Sequence, residues 1–522
     1  MACAGPHRMV SSPDTMTGQS SSPHRLALDD SRAIGLLAEL LRSSKYTEPA
    51  IAEALKTSRS DSIARSEAPL LVRRLPERGA LSALIKLFII GLTLDPEVVA
   101  RDCAPVTPGL LVSLGVVTEG PEGLVPRVHI HPFEGLFLAS DPIFDDFAQV
   151  TSDYVTGLNP TTASVASITI RRSVESALDL GTGFGVQALL SARHCGRVVA
   201  TDINPRALNM AAFNAALNGI RNIEFREGSL FEPVKGETFD MIVCNPPYVI
   251  SPETGLIFRD SGAAGDALSR TIIRQAPAYL RDGGFATIRC NWSLRTGESG
   301  TDPVTAWVVG SGCDALIIHA HSEHALEYAG MWNRLYLPRW PAEFESRLIK
   351  WTDYFRSQGI DAIGTGSVVL RKRSGQGHWI RAERMPLLGD PDGGRLILRM
   401  FEAQDWIATN PDPLAAIFGP SMDIRVEQIA TFEDGRFGLR EVAFSFVSGL
   451  QLRVAIDPTT LSVLSSFDGS RTLGEILNRL APGPDPKAAQ VRAKIAENVV
   501  HLYSLGFLVR TPIGIPVPVA PT

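Results

Sequence analysis

The 522-residue sequence predicts an α/β protein, in which a mostly parallel sheet covered by helices is flanked by an N-terminal helical domain and a C-terminal α+β domain. Three observations carry that prediction. Short apolar strands alternate with helical runs through the middle of the chain. The first of these strands ends in a glycine-rich turn that opens a helix, Asp179-Leu-Gly181-Thr-Gly183-Phe-Gly185. With 44% hydrophobic and 20% charged residues the composition is that of soluble globular chains, and the length suffices for roughly three domains of about 150 residues each.

Residues 1–28 are rich in Ser, Pro and Thr and contain no apolar h-region, so they read as a disordered tail and not as a secretory signal. From Asp30 the apolar residues Ile34, Leu37, Leu40 and Leu41 fall at helical spacing. The run Ala80 to Leu92 has the apolar density of a buried helix. The stretch Leu81 to Leu94 is interrupted by Lys86 and is shorter than the roughly 20 residues a span requires, so no membrane partner is expected. Short elements at Pro96–Arg101 and Thr107–Leu114 precede a strand at Val116–Thr118, a turn at Gly120–Gly123 and a strand at Leu124–Ile130. Helices followed by strand, turn and strand define a winged-helix-like unit over 29–145. It lacks a Lys/Arg-rich recognition helix, which favours substrate docking or a structural role over nucleic-acid contact.

Residues 146–374 form the α/β domain. Its strands are Ser176–Leu180, Arg197–Asp202, Ile223–Glu227, Met241–Asn245 and Phe285–Cys290, with helices at Val186–Ala192, Pro205–Leu217 and Leu268–Leu280. The block continues through Thr305–Val309, Ala315–Ala320 and a helix-rich stretch from Pro341 to Gln358, to a last strand at Ser367–Arg371. The C-terminal domain, 375–511, opens with a Gly- and Pro-rich linker and has strands near Ile424–Ala430 and Leu450–Ile456. A helix follows at Leu473–Leu480, and a second carries Val491, Ile495, Val499, Leu502 and Leu505 on one face with Gly506 as its stop. Residues 512–522 are a Pro-rich, unstructured tail.

Fifty Lys and Arg against 56 Asp and Glu give a net charge of −6, which excludes the strongly basic balance of a whole-chain nucleic-acid binder. The six cysteines, Cys3, Cys103, Cys195, Cys244, Cys290 and Cys313, contain no C-x-x-C pair, so neither a disulfide framework nor a zinc knuckle is expected and a reducing, cytoplasmic compartment fits. His319, His321 and His324 have the look of a metal cluster, but a strand end running into a surface helix explains them, and no metal is expected. His129 and His131 take the same reading. The run Arg371-Lys372-Arg373, with His378, Arg381 and Arg384, could track phosphates or form a solvated face.

The chemistry concentrates in three places. Glycines at 181, 183 and 185 let the backbone turn tightly and approach a ligand beside a helix N-terminus. About twenty residues on, a second strand ends in Asp202, where a carboxylate can accept ribose hydroxyls; together they indicate a nucleoside-containing cofactor. Asp179 would repel a pyrophosphate yet could orient a cationic amino-acid group. The third is Asn245-Pro246-Pro247-Tyr248 at the end of the fourth strand. Two prolines stiffen this turn, so the Asn245 side chain and the Pro246 carbonyl become fixed acceptors for the two hydrogens of an amino or amide nitrogen, with Tyr248 as a flat platform.

The order of glycine loop, acidic strand end and N-P-P-Y resembles that of class I S-adenosylmethionine-dependent methyltransferases, most closely the branch of release-factor glutamine N5-methyltransferases and N6-adenine methyltransferases. The resemblance covers about Asn159 to Ile288. It implies a Rossmann-like domain with a mostly parallel seven-stranded sheet and S-adenosyl-L-methionine as cofactor. By the same resemblance, Asp179, Gly181, Gly183 and Gly185 would hold the methionine part of the cofactor and Asp202 its ribose. Ser229 and Leu230 would lie beside the adenine, Ser229 standing where the family usually has Asp. Asn245, Pro246 and Tyr248 would be catalytic, with Asn245 also touching the cofactor. Asn159-Pro-Thr-Thr162 would contact cofactor or substrate, and Ile257–Asp266 sits where a lid would be.

The whole chain also resembles long bacterial proteins that wrap this domain in an N-terminal winged-helix-like unit and a C-terminal extension. The stretch from Phe467 to Leu477, with the helix after it and Gly506-Phe-Leu-Val, resembles small winged-helix-like peptide-carrier modules; a packing extension explains it equally. The activity expected is N-methylation of a protein glutamine side chain. The same-site alternative is N6 of adenine in RNA or DNA, which satisfies Asn245, Pro246 and Tyr248 as well. A non-catalytic cofactor-binding protein is the alternative of a different class. An NAD-dependent dehydrogenase is disfavoured, because the loop lacks the full G-x-G-x-x-G.

Overall fold

A computed structural model describes residues 25–57, 67–142, 150–298, 300–334, 341–386, 392–433 and 435–511. Residues 1–24 of the expected first tail and all of the expected tail 512–522 lie outside the described residues. Residues 25–28 do not continue the tail: Leu26 is buried, its amide donates to Asn209 Oδ1 over 2.8 Å and its carbonyl accepts from Asn209 Nδ2 over 3.0 Å.

The N-terminal part comprises α1 (Ser31–Ser43), α2 (Glu48–Leu55), α3 (Ala68–Val72), α4 (Ala80–Leu84), α5 (Pro96–Asp102) and α6 (Pro108–Ser113). Side-chain oxygens of Asp30, Thr47, Asp95 and Thr107 cap four of these helices. Where the sequence predicts one helix over Ala80–Leu92, α4 passes into a π-helical turn at Ile85–Ile89, and the chain leaves it at Ile90. The expected strand Leu124–Ile130 is two: β1 (Val117–Gly120) pairs with β2 (Gly123–Pro126), and β3 (His129–Phe133) pairs with β4 (Leu136–Ser140). Pro126 has no N–H to continue the first ladder, and Arg127 donates instead to Val116.

The central domain runs α7 (Pro160–Ile168), β5 (Val174–Leu180), α8 (Val186–Ala192), β6 (Cys195–Asp202), α9 (Pro205–Leu217), β7 (Ile223–Glu227), β8 (Phe239–Cys244), α10 (Ala267–Gln275) and β9 (Leu280–Leu294). It continues with α11 (Asp302–Val308), β10 (Cys313–His324), α12 (Ala325–Asn333), α13 (Pro341–Gln358), β11 (Ala362–Lys372) and β12 (Ile380–Arg384). Helix α10 is shorter than the predicted Leu268–Leu280, because Ala276–Tyr279 tighten into a 3-10 turn around Pro277.

The sheet has the order β12-β10-β11-β9-β8-β5-β6-β7. It is parallel except where β11 pairs antiparallel with β9 and β10. The sheet has eight strands, not seven, and the eighth, β12, lies past the boundary expected at 374–375. From β5 the chain runs outward to β6 and β7, then crosses back to β8 on the other side. A crevice at the carboxyl ends of β5 and β8 is where an open parallel sheet binds ligands.

Helix α9 joins the first two domains. Fully buried Asn214 donates to the carbonyls of Ala139 and Phe184 and accepts from the Ala139 amide over 2.7 Å, while Asn218 brackets Phe137 in the same manner. One apolar core runs from Leu26 and α1 through β4 to Leu189 and Phe213, so the N-terminal domain is packed onto α8 and α9.

In the C-terminal part, α14 (Gly393–Thr409), β13 (Ile417–Pro420), β14 (Ile424–Glu433), β15 (Arg436–Phe446), β16 (Arg453–Ile456), α15 (Pro458–Leu464), α16 (Leu473–Leu480), α17 (Pro486–Ser504) and β17 (Leu508–Thr511) follow. The region expected to open as a linker contains β12 and α14, and Gly393 and Gly394 in it are packing positions. A Cβ on Gly394 would lie 2.0 Å from the Thr169 carbonyl oxygen. Thr472 and Glu475 form a reciprocal capping box on α16. On α17, Ile495, Val499 and Leu502 are buried with Leu505 just beyond, Val491 is exposed, and Gly506 turns the chain at φ 83°.

Much of the basic run is paired internally, while Arg384 is exposed. Arg371 and Arg373 both bond to Asp314, which is fully buried, Arg371 reaches on to Asp405 of α14, and Arg381 pairs with Glu383. Arg371 thereby fastens β11 to α14. Among the described residues no helix is long and apolar enough to cross a membrane.

Candidate active site

The carboxyl ends of β5, β6 and β8 open into a cavity of about 760 Å³. Of the residues expected there, Asp179, Gly181, Gly183, Asp202, Ser229, Leu230, Asn245, Pro246 and Tyr248 all line it, together with Asn159, Thr161 and Thr162 at the start of α7. Gly185 does not. Its φ of 90° and the 2.8 Å that would separate an added Cβ from Ala211 Cβ make it the close-packing point between α8 and α9. Gly181 and Gly183 have positive φ and open space where a Cβ would stand, so a ligand can lie directly on their backbone.

Asp179 is buried at the end of β5. One carboxylate oxygen accepts the Thr182 hydroxyl over 2.6 Å and the Ala188 amide over 2.9 Å, which fastens the glycine loop to α8. Burial pushes its carboxyl up to about 7, against the pull of those two donors. Asp202 ends β6. Its Oδ2 accepts from the Gly183 amide over 2.8 Å and its Oδ1 from the Asn204 amide over 2.9 Å. Burial raises this carboxyl too, with backbone donors opposing. Asp202 does not cap α9; Asn204 does, accepting from the Arg206 amide. Each oxygen of Asp202 therefore keeps a lone pair for hydroxyls in the cavity.

Strand β8 delivers Asn245. Its Oδ1 is buried and has no hydrogen-bond partner, a costly arrangement for a carboxamide unless a ligand supplies the donor. Pro246 and Pro247 leave this turn without amide donors of its own. The Tyr248 hydroxyl stands 3.1 Å from Thr161 Oγ1, tying the motif to α7.

The loop after the motif is held shut. Asp260 accepts from Ser251, from the Leu256 amide and from Arg259, with both members of the Arg259–Asp260 pair buried. Helices α12 and α13, inserted between β10 and β11, strap it from outside. Tyr328 accepts from the Ile250 amide over 3.2 Å and Tyr354 from the Gly265 amide over 2.7 Å, while Glu253 gathers Arg347, Lys350 and the Trp351 indole. Ile257–Asp266 is thus a wall latched at named points, with Gly262 and Gly265 at positive φ.

Sequence reasoning did not single out Ile203, Tyr154 or Trp332, which also line the cavity. Ile203, directly after Asp202, exposes 58% of its surface and lines the cavity with Leu230; its position behind the acidic strand end was a usable signal. Tyr154 and Phe258 meet at 5.5 Å between ring centroids across the entrance, and Trp332 arrives from α12. Phe258 belongs to the segment expected as a lid, whereas nothing in local spacing marks Tyr154 or Trp332.

The histidines are accounted for locally. His319 Nε2 lies 2.9 Å from Ser322 Oγ, His321 pairs with Glu323, and His324 caps α12. Among the described residues no group of three or more His, Cys, Asp or Glu is placed to hold a metal ion.

An open parallel sheet with an acid-anchored glycine loop, a second carboxylate at the next strand end and a proline-stiffened Asn at the fourth define the class: a Rossmann-like, class I methyltransferase domain, whose methyl donor is S-adenosylmethionine. Comparison with known proteins shows what this domain is similar to. Residues 160–298 match the family model of the methyltransferase small domain. Over 126 residues the chain is 40% identical to the release factor glutamine methyltransferase of Xylella fastidiosa, covering 22% of this chain and 46% of that protein. It is 38% identical over 128 residues to the ribosomal protein uL3 glutamine methyltransferase of Bordetella pertussis, covering 22% and 43%. To the release factor glutamine methyltransferase of Aliivibrio fischeri it is 36% identical over 129 residues, covering 22% and 44%. The chain spans about half the length of these curated relatives, and the match lies in the methyltransferase domain.

Proposed function

We propose that the protein is an S-adenosylmethionine-dependent N-methyltransferase that methylates the side-chain amide of a glutamine in a protein. The observation that carries this reading is Asn245 Oδ1, a buried acceptor without a donor, fixed on a proline-stiffened turn facing a cofactor-sized cavity. The names of the relatives, which act on release factors and a ribosomal protein, support a protein acceptor. So does the internal pairing of Arg371, Arg373 and Arg381, which leaves fewer free cations to track phosphates. The buried free thiols Cys103, Cys195, Cys244, Cys290 and Cys313 fit the reducing, cytoplasmic compartment proposed for it.

The residues present fit the cofactor. Gly181 and Gly183 offer bare backbone, Asp202 offers acceptors for ribose hydroxyls, Ile203 and Leu230 offer apolar surface for a purine, and Asp179 supplies a carboxylate near the amino-acid end. When bound, S-adenosylmethionine supplies a methyl group activated on a sulfonium. The chain's own residues then have a positioning task. Asn245 Oδ1 and the Pro246 carbonyl each accept one N–H of the acceptor amide. Holding both hydrogens in the plane of those acceptors turns the nitrogen lone pair toward the donor side of the cavity. Tyr248 presents its face to the planar amide. The latched wall 257–266 keeps water out.

The test is incubation of purified protein with methyl-labelled S-adenosylmethionine and cell lysate, beside an Asn245→Ala control, followed by protease or nuclease. Protease-sensitive label that hydrolyses to N5-methylglutamine and is absent from the control supports the reading. Nuclease-sensitive label replaces it with an adenine acceptor. Cofactor binding with no label above the control replaces it with a binding protein.

A further inference from the structure

Arg289 of β9 is buried, and it differs from the other buried arginines. Arg259 pairs with Asp260 and Arg371 with Asp314, whereas among the described residues Arg289 has no carboxylate partner. One terminal nitrogen donates to the Gly366 carbonyl over 2.9 Å, and its Nε has no hydrogen-bond partner. Opposite it in the antiparallel register stands Ser367, whose hydroxyl is also buried without a partner. The guanidinium instead lies over the Tyr248 ring, 5.1 Å from its centroid. A cation without a counter-charge in the interior is costly to keep, and the Gly366 carbonyl and the Tyr248 π face are the compensation it has.

We propose that Arg289 is a positioning residue for methyl transfer: it fixes the plane of the Tyr248 ring from behind, so that the ring's free face and the Asn245 acceptor hold the amide in one orientation. This rests on the methyltransferase reading given above. The ring is then held at two points, by Arg289 on its face and by Thr161 at its hydroxyl. Arg289 is absent from the cavity lining, so it acts on the acceptor through Tyr248 and makes no contact with the cofactor.

The experiment compares wild type, Arg289→Met, Arg289→Lys, Tyr248→Leu and the Arg289→Met/Tyr248→Leu double variant. Two quantities are read: transfer of labelled methyl to lysate protein at saturating S-adenosylmethionine, and the dissociation constant of S-adenosylhomocysteine. The expected result is a fall of about tenfold or more in the Arg289→Met transfer rate, with the dissociation constant within about twofold of wild type. Arg289→Lys recovers a substantial part, because the cation over the ring is kept. In the Tyr248→Leu background, Arg289→Met causes no further loss, since its partner is gone. The proposal is overturned by wild-type transfer in Arg289→Met, by parallel loss of S-adenosylhomocysteine affinity, or by full additivity in the double variant. Wild-type protein that binds S-adenosylhomocysteine and transfers nothing overturns the methyltransferase reading, and this proposal with it.

Discussion

The Gly183 amide donates to Asp202 Oδ2 over 2.8 Å, so the glycine loop after β5 is tied to the tip of β6 by the same carboxylate that faces the cavity. The two halves of the proposed cofactor site are therefore one mechanical unit. Replacing Asp202 by Ala orphans the Gly183 amide and removes the ribose acceptors together, and S-adenosylhomocysteine affinity should drop by about 10- to 100-fold in calorimetric titration. Asp202→Asn retains one oxygen and should fall between the two.

Asp179 gives the free protein a defined pH dependence. Its folded carboxyl titrates near 7 and its unfolded one near 3.8, so between those values the native state holds a proton that the unfolded chain has released. Its contribution to stability is complete below about pH 4, declines as pH rises toward 7, and is gone above it; the full span is on the order of 4 kcal/mol. Asp179→Asn should abolish that decline. Denaturant unfolding of both proteins at pH 5 and pH 8 should show the gap in stability widening with pH in favour of Asn.

Gly181 and Gly185 should separate by phenotype. Gly185→Ala drives a methyl into Ala211 and Leu189 at a φ of 90° and should cost about 2–4 kcal/mol of stability. Gly181→Ala meets only open space and should cost about 1 kcal/mol, yet the methyl occupies the ligand's approach and should weaken S-adenosylhomocysteine. Melting temperature and titration, measured on both variants, distinguish the two.

Asn214→Ala should destabilise the junction of the first two domains. The substitution strips partners from the Ala139 amide and carbonyl and from the Phe184 carbonyl, all in a dry interface, at a cost of about 3 kcal/mol or more. Limited proteolysis within the described residues 150–159 should quicken in the variant. Unchanged resistance there would show that the apolar core alone holds the domains together.

What could be read from the sequence is what the chemistry requires to be contiguous. A backbone that must bend over a ligand writes its glycines in a row, and a stiff acceptor turn writes Asn245, Pro246 and Pro247 together. Gly185 fits the same pattern for a different reason, packing, and spacing alone does not separate the two. Trp332 and Arg289 reach the site by strand order, which periodicity does not encode. The eighth strand was concealed because Ile380–Arg384 is short and charged and finds its partner only in space. Helix α14 was concealed by Gly393 and Gly394, which look like linker and serve as contact surface against α7 and the residue that follows it.

Helices α12 and α13 leave the sheet at His324 and return at Ala362, two residues paired with each other in the β10–β11 ladder. The strap over the acceptor wall is therefore a cassette with adjacent ends. Because its ends are neighbours on adjoining strands, a change in its length need not alter the order of the strands that carry the glycine loop and Asp202. On the function proposed above, the piece of chain that backs the acceptor wall is separate from the strands that carry Asp179 and Asp202.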